Sequence, residues 1–339
     1  RILNDCVLVL APSANPDGID IVVDWYEKTK GTPWEGTGPP VLYQKYVGHD
    51  NNRDWFMLTQ TETRIVTREL YEEWKPAVVY DIHQMGGGGV RYFVPPFSDP
   101  VNPNLDPLLQ RELGLFGTYM AQRLSAAGKT GVCQGITFDN WWNGGAPNVP
   151  YRHNMIGILS EAASCKLATP VWKEFSELKG HGHALPEYKA QTNFPDPWPG
   201  GWWRMRDIID YELISVDAVL DLASRLRPVV NETYVQLGER AIAAGTTGNP
   251  RAFVIPANQK DGAAVWRLVT NLADTGVKLE RATADFTHAG SVWPKGSWIV
   301  RLDQPYRAHI KDLLEIQHYP EIKASEKGEI IKPYDNAGW

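Results

Sequence analysis

Four short stretches carry residue types that can do chemistry, and they fall in one order: Asn15-Pro16-Asp17-Gly18, Asn52-Arg53, His83 and Glu161. A neutral imidazole such as His83 can hold a metal. The guanidinium fork of Arg53 can grip a carboxylate through two hydrogen bonds, with Asn52 adding an amide donor. Glu161 ends an apolar run, where an unpaired carboxylate is costly to bury; partial burial raises its pKa toward the range of a general base. Each stretch also has a plain structural alternative. His83 can be a hydrogen-bonded loop histidine, Arg53 can pair with Asp50 or Asp54, Glu161 can be satisfied by Arg152, and Asn15–Gly18 can be a tight turn.

The elements that must position these groups follow from periodicity. Val78–Met85 reads as a strand running into four glycines, Gly86 to Gly89, and ligands of open α/β sheets gather at the carboxyl ends of strands. Asp81 or the backbone can orient the His83 ring. Strands are predicted at Cys6–Leu10, Ala77–Ile82, Arg91–Val94 and Met155–Leu159, with helices at Thr59–Trp74 and Asp106–Ala127, the latter closed by Gly128. Thr29–Pro40, Thr137–Pro150 and Asn193–Trp203 read as loops. Met205 to Ala244 has a helical pattern, as two helices or one bent one, with Ile214, Val219, Leu222, Leu226 and Val230 as its stripe and Gly245 as its end. Beyond Asn249-Pro250 the pattern gives strand Ala252–Pro256, helix Asp261–Thr275, strand Val277–Ala282 and a hairpin over Gly290–Leu302. The expected fold class is therefore α/β, a mixed sheet with helices on both faces, followed by a smaller α/β unit. The expected domains are 1–245 and 246–339.

With 339 residues, 43% of them hydrophobic, the chain can bury a sizeable core. A formal charge of -6 argues against nucleic acid as a partner. No run approaches the roughly 18 apolar residues of a membrane span. Cys6, Cys133 and Cys165 are an odd set at irregular spacing and make neither a disulfide framework nor a zinc ribbon, although one pair could bridge. The chain opens at Arg1 without Met or leader and stops at Ala337-Gly338-Trp339; a piece of a longer polypeptide is the expectation.

Taken in order, the strand followed by Asn-Pro-Asp-Gly, the segment Asp50–Trp55, the strand-end His83 and the strand-borne Glu161 resemble the zinc carboxypeptidases of the carboxypeptidase A type. The resemblance covers about residues 3 to 240 and is nearest to bacterial members with an extra carboxy-terminal region. It implies a carboxypeptidase-like sheet and a zinc-dependent hydrolase that removes C-terminal residues from peptides by metal-activated water. The implied substrate is a peptide with a free C-terminal carboxylate. His83 would then be a zinc ligand, Asn52 and Arg53 the carboxylate anchor, Glu161 the catalytic glutamate, and Tyr151 the substrate-binding tyrosine of the preceding loop. It also implies an extracellular or periplasmic location.

The sequence departs from the family pattern at several points. The family's two other ligands form an H-x-x-E pair expected upstream of Asn15, where the 14 residues contain no His or Glu. His318-Tyr319-Pro320-Glu321 matches the spacing by coincidence, since Pro320 interrupts any helix. No arginine lies between Gly18 and Asn52 for the oxyanion, only Lys28, Lys30 and Lys45. This chain is expected to be poorly metallated on its own. The alternatives are a catalytically silent carboxylate- or peptide-binding domain, and a related hydrolase of acyl-amino acids or cell-wall peptides. His181-Gly182-His183 reads as a solvated loop, and Trp141, Trp142, Trp202 and Trp203 as packing or as a pocket wall.

Overall fold

The computed structural model describes residues 2–44, 47–323 and 328–333. Lys45 and the closing Ala337–Trp339 lie outside them. The fold is mixed α/β. After a short α1 (Ile2–Asp5), residues Cys6–Leu10 form no strand. They are irregular, with Val7 76% and Leu10 74% exposed, because strand pairing is a tertiary matter and they join no sheet among the described residues. Asn15-Pro16-Asp17-Gly18 is not a closed turn but the start of α2 (Pro16–Thr29). The Asn15 side chain accepts the Gly18 N–H at 2.9 Å and Pro16 takes the first helical position, where its missing N–H costs nothing.

A single helical turn, Asn51–Arg53, follows, and then α3 (Thr61–Ile65) winds on as a π-helical stretch, Val66–Trp74. The strands are β1 (Val78–Met85), β2 (Tyr92–Phe93), β3 (Ser98–Val101), β4 (Val132–Cys133), β5 (Asp139–Asn140) and β6 (Ile156–Ala163). Between them lie α4 (Pro107–Ala126), capped by the Asp106 carboxylate on the Leu108 N–H, and α5 (Asn148–Arg152). A ribbon of β7 (Val171–Lys173) and β8 (Gly201–Trp203) precedes α6 (Met205–Arg225) and α7 (Arg227–Thr247). The long helical pattern is thus two helices, broken where Pro228 follows Arg227. Gly245 does not end it: α7 runs on to Thr247, and Gly245 is where a Cβ would lie 1.9 Å from the Leu302 carbonyl.

The central sheet has strand order β1-β6-β2-β4, with β1 parallel to β6, β6 antiparallel to β2, and β2 parallel to β4. Side chains alternate between its faces. Tyr92, Ile158 and Ala162 point into the main core with Leu113, Phe116 and Met120 of α4 and Ile208 and Val219 of α6. On the opposite face Val79 meets Trp55, Tyr71 and Val149, while Phe93 and Leu159 pack under Leu185 and Phe194. His83 and Glu161 project from this second face.

The C-terminal unit has a core of its own around Val269, Leu272, Val300 and Ile310. It comprises β9 (Ala252–Ile255), α8 (Gly262–Asp274), β10 (Glu280–Arg281), β11 (Phe286–His288), β12 (Ser291–Trp293), β13 (Trp298–Arg301) and α9 (Arg307–Leu314). The hairpin expected over Gly290–Leu302 is displaced. β12 pairs back to β11 around Ala289-Gly290, both at positive φ, whereas β13 pairs with β9 and β10. All three cysteines are free. No helix among the described residues is long and apolar enough to cross a membrane.

Candidate functional site

The parallel pairing of β1 and β6 sets His83 directly opposite Glu161, near the carboxyl ends of both strands. The His83 Nδ1 lies 3.4 Å from a Glu161 oxygen; the histidine side chain is 44% exposed, whereas Glu161 is 4% exposed. Its second oxygen, Oε2, is buried with no protein partner among the described residues. On the other side of the ring, Nε2 lies 3.4 Å from the Asn52 Nδ2. The His83–Glu161 hydrogen bond pulls the imidazole pKa up to about 9, against the opposing effect of burial. The Asn52 amide opposes that pull, because its oxygen accepts the Ala146 N–H at 2.7 Å and its NH₂ therefore faces the ring. The Glu161 contact becomes an ion pair when the ring is protonated, whereas the Asn52 amide at the same distance favours the neutral ring.

Asp81, two residues before His83 on the same face of β1, is pushed up to about 6 by burial, partly countered by His83; its Oδ2 has no partner among the described residues. Asp81, His83 and Glu161 thus form a coupled acid–imidazole cluster, the kind of perturbed group that marks candidate sites.

Asn52 and Arg53 come from the helical turn, which Asp50 caps by accepting the Asn52 N–H at 2.8 Å. Arg53 donates to the Asn52 carbonyl at 2.8 Å and lies 5.8 Å over the Trp142 ring. Asp54 is engaged elsewhere: its buried carboxylate accepts the Gln60 N–H at 2.9 Å and the Thr59 and Thr63 hydroxyls, holding the start of α3. Arg152 does not satisfy Glu161; it is paired with Asp312 instead.

The structure therefore brings together His83, Glu161 and Asn52, with Arg53 adjacent. It does not bring Tyr151 to an open surface. That ring is 1% exposed, packed against Phe97 and Gly157, and its hydroxyl has no partner among the described residues. His318 and Glu321 are not on a helix, and Tyr319 between them packs on Trp141. His181 sits in a bridged loop with its pKa lowered by burial. Of the tryptophans singled out, Trp142 reaches Arg53, while Trp203 is buried against Trp198.

Two supports escape sequence reasoning. Arg91, fully buried, donates to the Gly87 and Gly89 carbonyls at 2.8 and 2.6 Å, and it lies 4.9 and 5.2 Å from the Trp198 and Trp203 rings. It clamps the glycine loop that ends β1. Gly87 and Gly89 permit that loop, since a Cβ would come within 2.6 Å of the Ser164 carbonyl and 2.8 Å of the Lys179 carbonyl. An arginine two residues beyond a glycine run was the available signal. The second support is the Ala146 N–H, a backbone group with no sequence signature.

Zinc of the catalytic kind takes three protein donors. Among the described residues no three His, Cys, Asp or Glu side chains are grouped to hold a metal ion. No protein-family model matches the chain, and neither the curated proteins nor the solved structures contain a match to it.

Proposed function

We propose that this chain carries the carboxylate-binding and proton-transfer part of a zinc carboxypeptidase-like hydrolase, which removes C-terminal residues from peptides outside the cytoplasm. The observation that carries it is the facing of His83 and Glu161 across parallel strands at their carboxyl ends, with the Asn52–Arg53 turn against the ring.

The chemistry of the chain's own groups follows. Arg53 and Asn52 take the terminal carboxylate of the peptide, the guanidinium through its planar fork and the amide through one N–H. Glu161 has one oxygen on His83 and one without a protein partner among the described residues. The second oxygen can accept a proton from the attacking water and return it to the leaving amine. Zinc, where bound, would polarise the water and the scissile carbonyl. The residues described here do not fit a complete zinc site: His83 is the one ligand the family pattern assigns, so further donors must come from outside the described residues.

A second reading is a silent carboxylate-binding domain. It is favoured by one observation: Glu161 and Asn52 occupy both ring nitrogens of His83. The test uses the complete gene product. Near one zinc per chain, cleavage of peptides with free but not amidated C-termini, and a loss of about 10²- to 10⁴-fold in rate for Glu161→Gln are expected. Carboxylate binding without zinc or cleavage would leave the silent domain. Cleavage indifferent to amidation would sink the Arg53 role and point to a related amide hydrolase.

A further inference from the structure

Arg152 on α5 and Asp312 on α9 form an ion pair with side chains 0% and 2% exposed, at the junction between the C-terminal unit and the central sheet. Burying two charges is unfavourable unless the geometry is good and the remaining donors are satisfied. Here they are satisfied in an informative way. The Arg152 Nη1 donates to the Asn148 carbonyl at 2.9 Å and its Nη2 to the Trp141 carbonyl at 2.7 Å. One guanidinium therefore fastens both ends of the segment 141–148. Asp312 is fixed in turn by Asn104 at 2.7 Å and Asn102 at 3.3 Å, and Asn102 also reaches the Trp141 carbonyl at 3.0 Å.

That segment is what holds the Asn52–Arg53 turn. Its Ala146 N–H sets the orientation of the Asn52 amide, its Gly144 carbonyl accepts the Trp55 N–H at 3.3 Å, and its Trp142 ring lies under Arg53 and against Phe56. We propose that Asp312 is a positioning residue for the Asn52–Arg53 anchor, acting through Arg152 and the segment 141–148. The C-terminal α/β unit is then a working part of the carboxylate site and not an appendage. The functional half of this inference rests on the proposed carboxylate-binding role of Asn52 and Arg53; the mechanical half does not.

The experiment takes the full chain with Asp312→Asn, which keeps shape and removes charge. Amide hydrogen exchange is followed at residues 141–148 and, for comparison, in β6 and α4. Affinity is measured for a panel of N-acetyl amino acids, with the matching amides as controls. Exchange at Ala146 is expected to accelerate by about tenfold or more while β6 and α4 stay protected, and carboxylate affinity to fall about tenfold with the amides unaffected. Asn104→Ala, which loosens Asp312 but keeps the ion pair, is expected to move both readouts the same way by a smaller factor; it serves if Asp312→Asn does not fold. Unchanged exchange at Ala146 in both variants would overturn the proposal. So would acceleration spread equally over β6 and α4, which would make Asp312 a general stabiliser. If the wild-type chain prefers no N-acetyl amino acid to its amide, the carboxylate reading fails, and exchange at Ala146 still decides whether Asp312 holds the segment.

Discussion

His83 is where charge, exposure and hydrogen bonding meet. Its raised pKa, owed first to the Glu161 hydrogen bond, has a definite sign in stability. The folded value, about 9, exceeds the ordinary 6.5. The stabilisation is therefore fully present below about pH 6.5 and lost as pH rises through 9. With the side chain 44% exposed, solvent screens much of it. In the metal-free chain the His83 ring is expected to titrate well above the usual histidine range by NMR, and Glu161→Gln should bring it back toward that range. A ring that titrates near 6.5 in the wild type would show that the Asn52 amide, not Glu161, governs its charge. His83, Glu161, Asn52 and Arg53 were legible as candidates because their types and order are chemically complementary. Tyr151 was chosen by loop position alone, and burial was not visible from there.

At the scale of elements, caps were legible and pairings were not. Asp106 and Asp261 begin α4 and α8 as their sequences suggest, each with its carboxylate on a helix N–H. Asn15-Pro16 carries the same signature, yet its four residues also fit a turn. The residues that follow, with Ile19, Val22, Val23 and Tyr26 at helical spacing within α2, decide between the two. Close approach is the other feature hidden from local pattern. Gly117 lies in the middle of α4, where alanine ordinarily gains up to about 1 kcal/mol over glycine. Here a Cβ would lie 1.8 Å from the Pro95 carbonyl. Gly117→Ala is thus expected to destabilise by about 1–3 kcal/mol, read as a lower thermal midpoint. A raised midpoint would mean the Pro95 loop yields freely.

The whole molecule is held at its junction by buried polar groups. Beside the Arg152–Asp312 pair, the His153 and His309 rings pack at a tilt of 43° with centroids 4.6 Å apart. His153 reaches the Thr275 carbonyl at 3.1 Å, and His309 its hydroxyl at 2.9 Å. Burial holds both imidazoles below the ordinary pKa, with Arg152 adding to the effect. A base with a depressed folded pKa contributes stability that is complete above the unfolded value near 6.5 and is lost as pH falls toward the folded value. The thermal midpoint is therefore expected to drop as pH is lowered from about 7 to 5. His309→Asn should flatten that slope. An equal slope in the variant would place the acid sensitivity elsewhere.

The sequence by itself determined the α/β class, most helices, the strand that carries His83 and the strand that carries Glu161, because periodicity and capping are local and repeat within a few residues. Only the tertiary structure decided that His83 faces Glu161, a register set by packing along all eight residue pairs of β1 and β6. It alone left Cys6–Leu10 unpaired, since an apolar run becomes a strand only with a neighbour to bond. It alone joined Asp312 to Arg152 across 160 residues of chain, because a buried charge takes the partner that the folded core brings to it and not the one nearest in sequence.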